Sequence, residues 1–210
     1  MEDLEPGAAG GGYPWWLTLL AGRGGEEFLL SLKYPFLICL ILFTTSFIFG
    51  CLLLNRISLG ELERIFGGLP NLEDFTPTFL MLFIFGNNAL KCLLWTSLGI
   101  LFGVAPLLFT SFNGFLLGLV AHHVYQVRGP LFVLLTILPH GVVELPTTLL
   151  SAAIGVRLGY SLINRLRGGR GLTGEVKRGL ALFLKRILPL LLLAAVIEAF
   201  VTPSLAYLLY

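Results

Sequence analysis

The residues best able to do chemistry in this 210-residue chain lie in its most apolar stretches. The segment ILPHGVVELP, residues 137–146, sets His140 and Glu144 four apart in an otherwise greasy run. On a helix that spacing places an imidazole and a carboxylate on one face, where both can meet one target. Thr147 and Thr148 follow one turn on. The same spacing recurs in Asn87 and Lys91, within FGNNALKC, and in Glu198 and Thr202, within IEAFVTP. One imidazole and two carboxylates are N and O donors of the kind that hold zinc or a similar divalent metal. His140, Glu144 and Glu198 therefore form a candidate ligand set, with Asn88 as a neighbour and water or another histidine as fourth ligand. Two other chemistries fit the same residues. One is a buried hydrogen-bonded network in which Lys91 pairs with a glutamate and fixes helix register. The other is an ion or proton pathway, the usual use of ionisable groups at membrane depth. No HExxH pattern, Cys/His framework or evident nucleophile accompanies the group, so no catalytic residue is assigned. Cys39, Cys51 and Cys92 sit apart in apolar surroundings and read as small hydrophobes. The adjacent His122 and His123 read as an interface feature.

Those residues need elements to hold them. The chain is 56% hydrophobic and 12% charged, with a mean hydropathy of +0.89. A soluble domain carries about 25% charged residues. Too few charges remain to cover a globule, so the fold class is all-α, a polytopic transmembrane bundle. A crossing helix needs about 20 apolar residues. Five spans are expected, near 34–54, 77–102, 106–125, 140–161 and 187–208. The apolar run 131–161 would make a straight helix of about 46 Å, against a hydrocarbon core of about 30 Å. A break at Pro139 and Gly141 is therefore expected, with 131–138 as a re-entrant or interfacial piece before span four. Pro203 marks the end of span five.

Residues 1–33 read as an N-terminal tail and interfacial segment, with Trp15 and Trp16 at the membrane surface. Residues 34–208 read as the transmembrane domain. Ser58 and Glu61 suggest the capped start of a short interfacial helix between spans one and two. The linker 164–186 is strongly basic. Arg157, Arg165, Arg167, Arg170, Lys177, Arg178, Lys185 and Arg186 stand in or beside it, with Glu175 the one acid. By the excess of cations the linker faces the cytoplasm, which puts the N-terminus inside and the C-terminus outside the cell membrane. Its natural partner there is the anionic face of the lipid bilayer. No nucleic-acid-reading motif is present. Three GxxxG pairs, at Gly99/Gly103, Gly114/Gly118 and Gly155/Gly159, suit close helix packing and suggest a homodimer.

FGNNAL at 85–90, FNGFLLG at 112–118 with Asn113 and Gly114, ILPHGVVELP at 137–146 and IEAFVTP at 197–203 together resemble the stage II sporulation protein M family. Their order and spacing match over about residues 30–208. The resemblance implies a multi-pass membrane fold and a shared polar cluster. In spore-forming bacteria the family's namesake works with peptidoglycan-degrading partners, and relatives also occur in archaea and in bacteria without spores. The role expected is a structural or assembly component, with other membrane proteins as partners. Two alternatives stand beside it: a component for ion or small-solute transport, and a metal-dependent intramembrane hydrolase.

Overall fold

Long runs of Leu, Ile, Val and Phe can satisfy their backbone in lipid only as helices or closed barrels. The computed structural model describes residues 26–53, 75–169 and 171–207, and all five long apolar segments within them are helical. Trp15 and Trp16, and the short helix expected from Ser58, lie outside the described residues. A short helix α1 (Glu26–Ser31) leads into α2 (Lys33–Leu53). Then come α3 (Pro77–Leu98), α4 (Val104–Arg128) and α5 (Pro130–Leu166). The last rod runs from Leu172 to Tyr207 as α6 (Leu172–Leu182), α7 (Leu188–Val196) and α8 (Thr202–Tyr207), joined by two π-helical turns.

Local chemistry sets the ends. Thr76 caps α3 by accepting the Phe79 N–H at 3.3 Å, and Pro77 opens the helix where no N–H is needed. The turn into α4 needs left-handed backbone, which Gly103 supplies at φ 75°. Gly129 at φ 84° does the same before Pro130, so α4 and α5 form a tight antiparallel hairpin.

One expectation is corrected. No break or re-entrant piece precedes span four. Instead α5 is one helix of 37 residues, and Pro139, Gly141 and Pro146 all lie inside it. The prolines remove two backbone donors, but threonine hydroxyls cover neighbouring carbonyls. Thr136 donates to Phe132 O at 2.8 Å, Thr147 to Val143 O at 2.6 Å and Thr148 to Leu145 O at 3.0 Å. Without competing water, such a helix keeps its course. At about 55 Å it is longer than a hydrocarbon core of about 30 Å is thick. The basic linker 164–186 is likewise mostly helix, because α5 ends at Leu166 and α6 begins at Leu172. Arg157 of α5 ties the two together through Glu175 of α6 at 3.0 Å, and Arg178 reaches the same carboxylate at 3.4 Å.

The π-helical turns have a common cause. One spans Phe183–Ile187 before Pro189, and the other spans Ile197–Val201 before Pro203. A proline has no N–H, and its ring meets the carbonyl four residues back. Widening the preceding turn moves that carbonyl aside. Leu188 N–H then bonds Phe183 O, and Thr202 N–H bonds Ile197 O.

The glycine pairs are spent inside the chain. Gly114 and Gly118 of α4 lie against the Phe43 and Phe47 carbonyls of α2. Gly99 meets Gly155, and Gly159 meets Gly103. These contacts bring α2 onto α4 and the end of α3 onto α5. They leave the expected homodimer without the support those glycines gave it. Around them, Ile154, Ile187, Leu191 and Cys92 are fully buried, while residues such as Leu108 and Leu52 are exposed on the outer surface.

Candidate functional site

His140 and Glu144 share one face of α5, as their spacing requires. Glu198 comes to meet them from the π-turn Ile197–Val201. One donor atom from each of the three lies within 4.8 Å of the other two. All three side chains are half-buried. They line a partly open cavity of about 370 Å³.

Other helices line the same cavity. Asn87, Asn88 and Lys91 of α3 line it, together with Asn113 of α4. Asn88 is 4% exposed, and its amide interacts with the Glu144 carboxyl. Lys91 is close enough to attract both glutamates. Even so, among the described residues it forms no ion pair with either within 4.0 Å. His140 Nδ1 is enclosed and has no hydrogen-bond partner. Phe83, Leu117 and Ile137 supply apolar wall between the polar groups.

The cluster is thus gathered but not closed on itself. A network that existed only to fix register would pair Lys91 with a glutamate and give His140 an acceptor. A tetrahedral metal with bonds near 2.1 Å keeps its ligands about 3.4 Å apart. Donors already within 4.8 Å reach that spacing by small side-chain rotations.

The remaining expected residues fall in several places. Gly141 lines the cavity, and Pro139 stays within the helix beside it. Thr202 turns away to donate to Ile197 O at 3.4 Å. Thr147 and Thr148 are buried on their own backbone. His122 and His123 do not line the cavity, though one ring nitrogen of each is enclosed without a partner. Pro203 acts through the turn it forces before it.

Sequence reasoning missed the clamp that holds the two walls in register. Ser151 Oγ donates to Cys92 O at 2.7 Å, and the hydroxyls of Thr96 and Ser151 meet at 2.9 Å. These groups lie about two turns along α3 and α5 from Asn88 and Glu144, with Ser151 fully buried. The signal was available in part. Asn88, Cys92 and Thr96 recur at intervals of four, which puts a polar stripe on one face of α3. Asn113 reads as a motif residue in the sequence, whereas the structure sets it at the cavity wall.

The family model described as Stage II sporulation protein M matches residues 39–203, which include every residue of the cluster. An uncharacterized protein of Methanocaldococcus jannaschii is 32% identical over 179 residues, covering 83% of this chain and 97% of its own length. A second uncharacterized protein of that archaeon is 29% identical over 138 residues. That alignment covers 62% of this chain and 59% of the relative. No solved structure matches the chain.

Proposed function

Because the chain belongs to the Stage II sporulation protein M family, we propose that it is a multi-pass component of the cell membrane with a structural or assembly role, built around an intramembrane metal site. The observation that carries this reading is the convergence of His140, Glu144 and Glu198 from two separate rods. Carboxylates taken out of water need a cation, a proton or a hydrogen-bonding partner. Lys91 is held off from both glutamates, and Asn88 serves only one of them. A divalent metal such as zinc answers both carboxylates and the imidazole together. It would also tie the π-turn of the last rod to the middle of α5, which suits a part whose job is to hold a shape.

The N-terminus is cytoplasmic and the C-terminus external in this reading. Its support is the crowd of cations where α5 passes into α6, namely Arg165, Arg167, Lys177 and Arg178. The test of the metal site is the metal content and melting temperature of the wild type beside His140→Ala, Glu144→Gln and Glu198→Gln.

One observation favours a second reading, permeation of an ion or small solute. The cavity is partly open, and its volume exceeds what one metal ion needs. Flux through liposomes that carry the purified chain, above that of empty liposomes, would select it.

A further inference from the structure

The polar lining of the cavity divides by element. α5 and the last rod bring acceptors, the His140 imidazole and the Glu144 and Glu198 carboxylates. α3 and α4 bring donors, the Lys91 ammonium and the amides of Asn87, Asn88 and Asn113. Lysine has three donors and no acceptor, and each asparagine amide has two donors. Among the described residues, the charged groups that face the cavity are those two carboxylates, Lys91 and His140 when protonated, and α4 contributes none.

A divalent cation held by His140, Glu144 and Glu198 is balanced by the two carboxylates. The charge on Lys91 is then left without a counterpart in surroundings of low polarity, where an unpaired charge is costly. The space is also more than a metal requires. One water takes about 30 Å³ of liquid volume, so a cavity of about 370 Å³ has room for a polyatomic ligand.

We infer that the metal-loaded site binds an oxyanion of the phosphate class, with one oxygen on the metal and the others on Lys91 and the asparagine amides. The inference rests on the metal reading above and names what that site takes. A phosphate group suits both sets of groups at once. Its charge answers the metal and the ammonium, and its several oxygens accept from the amides. The group has two possible sources, a phospholipid headgroup entering from the bilayer or free phosphate entering from water. Both present the same chemistry to these residues.

The experiment uses the full chain in a neutral detergent and phosphate-free buffer. Zinc is titrated first, by calorimetry. Inorganic phosphate and dihexanoylphosphatidic acid are then titrated separately into zinc-loaded and zinc-stripped protein. The expected result is saturable binding of at least one of them, about 10- to 100-fold weaker without zinc. Binding of inorganic phosphate alone assigns the free anion, and binding of the short-chain lipid alone assigns the headgroup. Lys91→Met is expected to lose the oxyanion by a similar factor while holding zinc at least as tightly, since a nearby like charge has gone. Lys91→Arg is expected to keep both. Zinc bound with neither anion taken up overturns the inference and leaves the metal site standing. Anion binding of equal strength with and without zinc overturns it as well. No zinc in the wild type overturns both.

Discussion

At the scale of single residues, the chain keeps few polar groups in its apolar helices and uses them in two ways. Some, such as Asn88 and Glu144, face the cavity. Others, such as Ser151 and Thr96, join helices. The members of the first set could be picked out of the sequence, because an ionisable group in an apolar run is costly and therefore conspicuous. The second set could be picked out only in part, because a serine or threonine in such a run also satisfies itself on its own helix, as Thr147 does. Only the packing of α3 on α5 tells the two apart. Ser151→Ala removes the donor to Cys92 O and the partner of Thr96. It is expected to lower stability by about 1–3 kcal/mol. It should also weaken metal binding, because the cavity walls lose their register. Thermal unfolding together with a zinc titration checks this; an unchanged melting temperature would show that the clamp contributes nothing.

At the scale of elements, length and composition made the helices legible, and proline made them harder to read. Pro139 and Pro146 look like stops, yet α5 passes straight through them. Pro189 and Pro203 also look like ends, yet each only widens the turn before it. The difference lies in whether the surroundings take up the freed carbonyls, which is a tertiary matter invisible to local propensity. The π-turn at Ile197–Val201 matters most, since it sets the direction of Glu198. Pro203→Ala restores an N–H and removes the ring that forces the turn open. The expected outcome is a chain as stable as the wild type or more so, with weaker metal binding because Glu198 has rotated from its place. Melting temperature and zinc affinity measured on the same sample test it. Full metal affinity in that variant would mean that the turn does not aim the carboxylate.

At the scale of the whole molecule, four of the five apolar rods line the polar cavity, and they bring different chemistry to it. Helix number and membrane class followed from 12% charge and long apolar runs. The glycine faces misled, because their spacing says that two backbones approach closely and not which two. Here they belong to the same chain, as Gly99 against Gly155 shows. Orientation rests on the cations near the start of α6. Single-cysteine variants in a chain with its own three cysteines replaced provide the check, with a cysteine at Thr173 expected to resist a membrane-impermeant label applied to intact cells. Labelling there from outside would reverse the topology. The most direct test of the proposed metal site is the zinc content of the purified wild type, taken with its melting temperature before and after a chelator. About one bound zinc per chain is expected, with a clear fall in melting temperature on its removal, and with neither zinc nor chelator effect in Glu144→Gln or Glu198→Gln. A wild type that binds no divalent metal when dialysed against it, and that melts at the same temperature with and without chelator, would contradict the metal site outright.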